Sequence, residues 1–123
     1  MPVFQYLALS DSAPGREDEF NTWYETVHIP QILDVPGFVS AQRFEAVEIG
    51  DGPIKRRRYM ALYRIEAEDA AQAIAALRAR RGTDRLTPSD ALNTSSMFAQ
   101  AYVAITGPIP AATPADHLQR SPG

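Results

Sequence analysis

The chain has 123 residues, 45% of them apolar and 22% charged, the composition of a single compact globular domain. Its formal charge of -3 argues against a nucleic-acid binder, which needs a basic excess to displace counterions from phosphate. The absence of cysteine excludes disulfides, thiolate nucleophiles, zinc-thiolate sites and iron-sulfur clusters.

Taken in chain order, Val3, Phe4, Tyr6, Leu7 and Leu9 put apolar side chains on both faces of a first predicted strand. After the loop "DSAPG", Phe20, Trp23, Tyr24 and Val27 fall at i, i+3, i+4 and i+7, the period of an amphipathic helix. Glu17, Asp18 and Glu19 occupy its first turn, where the helix dipole favours carboxylates. Pro30 cannot donate a backbone hydrogen bond and disfavours helical dihedrals at Ile29, so this helix is predicted to end or kink near His28. A short turn, "PQILDV", leads to "PG".

From Phe38 to Ile49 the alternation is that of a half-buried strand, closed by the turn residues "GDGP". "KRRRYMALYRIE" is the next strand, with Tyr59, Ala61, Tyr63 and Ile65 on one face. An alanine-rich helix follows, with Ala70, Ala71, Ile74 and Leu77 expected inward and Gly82 ending it. "TDRLTPSDALNTSS" reads as a long loop, of the length that is often functional. "MFAQAYVAI" is the last strand. Residues 1–106 are thus expected to form one domain. The segment 107–123 holds four of the chain's ten prolines and is expected to be an extended or disordered tail.

The order strand, helix, strand, strand, helix, strand is the ferredoxin-like βαββαβ arrangement, an α+β fold with a four-stranded antiparallel sheet. Two helices cover only one face of such a sheet, yet these strands carry apolar side chains on both. A second copy pressing sheet to sheet, a homodimer, is the simplest cover. No apolar run approaches the roughly 18 residues that span a bilayer, and "MPVFQYLALS" lacks the features of a signal peptide, so a cytoplasmic location without membrane contact is expected.

The stretch "FNTWYETVHIPQILDVPGFVSAQRFE" resembles the EthD-like group of the dimeric α+β barrel superfamily. Trp23, Tyr24, His28, Pro30, Pro36, Gly37, Phe38, Arg43 and Phe44 carry the resemblance, which extends over about positions 3 to 106 and leaves out the tail. It implies a dimer whose protomers each hold a cavity between sheet and helices, lined from the first helix and strand. Polyketide cyclases, lactone isomerases, decarboxylating and dehydrating enzymes, and haem- or quinol-related monooxygenases share that fold, so the resemblance does not select a reaction.

Among the residues that could carry chemistry, His28 stands first, because an imidazole exchanges protons near neutral pH. Helix-end carbonyls would favour its cation and burial its neutral form. The bland alternative is that it bonds a carbonyl freed by Pro30. Tyr24, four residues earlier, could orient the ring or polarise a substrate oxygen. Trp23 would shape the pocket wall. Arg43, on a largely apolar strand, needs either an acidic partner or a bound carboxylate or phenolate. Tyr6 and Tyr63, like Tyr59 and Tyr102, lie on strands and could reach a cavity. The clusters "KRRR" and "RARR" are read as a solvated strand start and a helix end complementing its dipole. One histidine in the folded part cannot build a multi-histidine metal site, and neither metal nor cofactor is expected.

These residues point to a cofactor-independent enzyme that moves a proton next to a carbonyl of an aromatic or polyketide-like metabolite, with His28 and Tyr24 catalytic. Cyclase, isomerase, dehydratase and lyase chemistry all share that logic. The alternatives are a non-catalytic binding or accessory protein for a hydrophobic small molecule, and a haem or quinol monooxygenase with His28 as the only candidate ligand.

Overall fold

A computed structural model describes residues 1–112. Strand β1 (Val3–Ser12) is followed by helix α1 (Glu17–Trp23), a π-helical turn (Tyr24–His28) and helix α2 (Ile29–Leu33). Strands β2 (Phe38–Glu45) and β3 (Tyr59–Glu66), helix α3 (Ala70–Arg78) and strand β4 (Leu92–Tyr102) complete the order. The strands form one antiparallel sheet in the order β2-β3-β1-β4. This is the ferredoxin-like α+β fold that the element order predicts. Among the described residues no helix is long and apolar enough to cross a membrane. Gly107–Ala112 carry no helix or strand; the rest of the predicted tail, His117 included, lies outside the described residues.

Register decides which side chains meet the helices. Tyr6 pairs with Tyr63, Ala8 with Ala61 and Phe4 with Ile65, and this set packs with Phe20, Tyr24, Ile32, Ile74 and Leu77 into the core. The residues between them, Leu7 opposite Leu62 and Leu9 opposite Met60, must point the other way because strand side chains alternate. Leu7, Leu9, Met60 and Leu62 are only half-buried in the single chain.

Three expectations need correction. Of the two outcomes expected at Pro30, an ended or a kinked helix, the first does not occur: the backbone stays helical from α1 through α2. A proline lacks the amide hydrogen and its ring crowds the carbonyl four residues back. The chain relieves this by widening one turn, so that the Ile29 amide donates to the Tyr24 carbonyl, five residues back. In α3 the inward set is Ala73, Ile74 and Leu77, and Ala71 is exposed. The strand bounds also shift. β2 stops at Glu45, β3 starts at Tyr59, and β4 begins at Leu92, inside the segment expected to be loop. There the polar run Asn93–Ser96 is recruited by β1, whose Asp11 and Ser12 pair with Asn93 and Leu92 beyond a bulge.

Gly37 sets the passage from α2 to β2. Its φ is +96°, a conformation that side-chain-bearing residues avoid, and its carbonyl accepts from the Glu66 amide at 2.8 Å.

Candidate functional site

Between the sheet and the helices lies a cavity of about 510 Å³. Tyr6 and Tyr63 reach it from the sheet, and Trp23, Tyr24, His28 and Ile32 from the first helical segment. The connection from α3 to β4 closes another side with Arg81, Leu86, Thr87 and Pro88. That connection is tied to the helix. Gln31 Nε2 donates to Thr87 Oγ1 at 3.0 Å, the Thr87 amide donates to Gln31 Oε1 at 2.7 Å, and Trp23 Nε1 donates to the Thr87 carbonyl at 3.1 Å.

The π-helical turn composes the site. In a regular α-helix, residues five apart are rotated by about 140° and cannot meet. Here Trp23 and His28 stack with ring centroids 4.5 Å apart and planes 23° from parallel, and the Tyr24 ring meets His28 edge-on at 4.8 Å. Pro30 thus explains why the imidazole lies against the indole: the turn that accommodates the proline brings position 28 back over position 23.

His28 Nδ1 is enclosed with no hydrogen-bond partner, while the residue lines the cavity. Chemistry with a ligand would therefore run through Nε2. Burial, reinforced by the positive charge of Arg43, pushes the imidazole pKa down to about 4, so the ring is neutral at physiological pH. Tyr63 Oη donates to Tyr24 Oη over a loose 3.4 Å, beyond the usual O–H···O range. Burial raises the pKa of both phenols. Two neutral hydroxyls consequently stand beside a neutral imidazole in a mostly apolar chamber.

Arg43 is not on the cavity wall, against the expectation that it binds substrate. It donates to Glu25 Oε2 at 3.2 Å, the acidic-partner alternative. Its guanidinium lies 4.5 Å from the Tyr24 ring centre and 5.5 Å from that of Tyr59, a cation-π arrangement. Val39 and Val47, placed on its face by simple alternation, are exposed: a bulge between Phe38 and Ser40 shifts the pairing at Val39, and Val47 lies beyond the end of β2 at Glu45. Of the other strand tyrosines, Tyr59 packs against Phe20 and Tyr102 is half-exposed; neither lines the chamber.

Sequence reasoning did not find Gln31, Thr87 or Arg81. The length of the polar connection was the available signal, but its contact with α2 is tertiary. Among the described residues no cluster of three or more His, Asp or Glu could hold a metal ion.

No protein-family model matches the sequence, and no curated protein does. Solved structures do match. An EthD family protein from Bacillus halodurans aligns with a TM-score of 0.54 at 15% identity, over 84% of this chain and 99% of that one. The haem degrader MhuD from Mycobacterium tuberculosis, with two haems bound in its active site, aligns with a TM-score of 0.55 at 18% identity, over 86% of this chain and 98% of that one. A variant of MhuD with two manganese protoporphyrins per active site gives 0.53 at 20% identity, over 89% and 100%. At these identities the likeness is one of fold. What these structures share with the chain is its α+β fold, a four-stranded antiparallel sheet with helices packed on it.

Proposed function

We propose that the chamber binds an aromatic or polyketide-like carbonyl compound and that the protein moves a proton next to that carbonyl without a cofactor. The observation that carries this reading is His28: a neutral imidazole, stacked on Trp23 and lining an apolar cavity beside two phenols. The neutral ring can accept a proton at Nε2 without first losing one. Tyr24, whose hydroxyl already accepts from Tyr63, keeps its own hydrogen for the oxygen on which enolate charge develops.

The same burial that keeps His28 neutral makes it a weak base. A simple ketone would be too reluctant an acid for it. A methylene between two carbonyls is far more acidic, and the enolate formed would stabilise the imidazolium by charge pairing, which favours poly-β-carbonyl or phenolic substrates. Cyclisation, isomerisation, dehydration and carbon-carbon cleavage all proceed from such an enolate.

The second sheet face fits the same reading. With Leu7, Met60, Leu62 and Phe44 on it, a second copy of the chain is its occupant, giving a homodimer with one chamber per protomer; sedimentation at micromolar concentration checks this. Residues 1–106 would form the domain, and the segment after them would be an appendage.

The test is turnover of a panel of aromatic and poly-β-carbonyl compounds with product analysis. Conversion that is lost in His28→Ala, with circular dichroism unchanged, supports the proposal. Binding without conversion makes the protein a carrier instead. Haem suits the residues less well. It brings two carboxylates to a wall whose one charged side chain among the described residues is Arg81, and the candidate axial imidazole is held against Trp23. A saturable Soret band on adding haemin, lost in His28→Ala, would reverse that judgement.

A further inference from the structure

We infer that the ligand of the chamber is an amphipathic anion, an aromatic body carrying a carboxylate that pairs with Arg81 at the mouth. The inference rests on the chamber being a ligand site and adds the charge and orientation of what enters.

Arg81 lies just beyond α3, in a turn where its amide donates to the Arg78 carbonyl at 3.2 Å. The turn is anchored on either side. Arg80 and Arg85 both donate to Asp34 Oδ2, at 3.1 and 2.9 Å. Arg16, Arg43, Arg58 and Arg64 also have carboxylate partners. Among the described residues, Arg81 forms no ion pair and is the one charged side chain on the chamber wall.

The rest of the wall permits an anion and offers it no other charged partner. Among the described residues no aspartate or glutamate lines the chamber, so an entering carboxylate meets no like charge there. Tyr24 and Tyr63, buried, and His28, half-buried, are neutral, suited to a carbonyl or phenol and not to a full negative charge, whose desolvation would be costly. Arg81 is exposed, keeps its hydration until the ligand arrives, and presents a planar fork that matches a carboxylate through two parallel hydrogen bonds. An aromatic acid would therefore enter ring first, its ring against Trp23 and its carboxylate at the rim.

Calorimetric titration of the full chain with naphthoate and with naphthamide, which differ in charge but little in shape, tests this at neutral pH. The expected result is that naphthoate binds about tenfold more tightly than naphthamide, the scale of one charge-assisted contact. Arg81→Gln should reduce naphthoate to the affinity of naphthamide and leave naphthamide unchanged, and Arg81→Lys should recover part of the difference. Added salt should weaken naphthoate alone. Equal binding of the two probes by the unaltered protein, or a naphthoate affinity that ignores Arg81→Gln, overturns the inference while leaving the chamber a ligand site. If neither probe binds, the chamber reading falls and this inference with it.

Discussion

Two of the hollows formed by the described residues are nearly equal in size and differ in how their central polar group is held. The chamber beside His28 measures about 510 Å³ and a cleft beside Asp11 about 520 Å³. In the cleft, Asp11 accepts from the Arg57 amide at 2.6 Å, the Arg58 amide at 2.8 Å and Ser96 Oγ at 2.7 Å. Burial pushes its pKa up, but these donors outweigh burial and hold the carboxyl below its usual range. They also fix Arg57 at a φ of +55°, a costly conformation for a side-chain-bearing residue. The Asp11 carboxylate is engaged in pinning the β2–β3 connection to β1 and β4. Among the described residues, the buried side-chain nitrogens and oxygens without a hydrogen-bond partner belong to His28 and Arg43. Volume alone does not separate a site from a structural clasp; the partners of the groups inside it must be read as well.

The largest effect that would break this contrast is on turnover. His28→Ala should lower the rate by about 10²- to 10⁴-fold, the range of a positioned acid-base group, whereas Asp11→Ala should leave the rate per folded molecule unchanged; steady-state kinetics on both variants decides. Next comes pH. His28 has a folded pKa of about 4 against 6.5 for the free side chain, so the folded state disfavours its protonation. The contribution is fully present above pH 6.5 and is lost as pH falls from 6.5 through 4. It amounts to about 3 kcal/mol from the size of the shift. Urea melts of the protein and of His28→Phe across that window should differ in slope, with the variant flatter. For Asp11→Ala the expectation is a stability loss of about 1–3 kcal/mol from the abandoned donors, read as a shifted denaturation midpoint with unchanged m-value. Smallest is Pro30→Ala, which restores an amide hydrogen and frees the wide turn to tighten. It should loosen the Trp23–His28 stack, raising tryptophan emission and lowering turnover by about tenfold or less.

The sequence made the fold legible because alternation and helical period are local signals. It also brought Trp23, Tyr24 and His28 onto one helical segment, and placed Tyr6 and Tyr63 on strands that face it. It did not reveal how those rings meet. Helical period predicts that positions 23 and 28 diverge, and proline rules predict an ended or kinked helix; the π-helical turn satisfies the proline and joins the rings at once. Arg43 shares the face of Ala41, as alternation predicts, but its partner Glu25 lies on the first helical segment and could not be read from the strand; Val39 was misplaced because bulges leave no mark in an alternating pattern. Arg81 resembled any cation at a helix end until the path of the connection from α3 to β4 showed a chamber next to it. Strand β4 was drawn too short for a related reason: Asn93–Ser96 owe their extended state to pairing with β1, not to their own preference.

The charge state of His28 is the hinge of the account, and nuclear magnetic resonance titration of its ring reports it directly, with His28→Ala separating its signal from that of His117. A midpoint near pH 4, with the ring neutral at pH 7, is the predicted result. A midpoint at or above 6.5 would mean an imidazole open to water or held as a cation, and would contradict the enclosed, neutral ring on which the proposed chemistry depends.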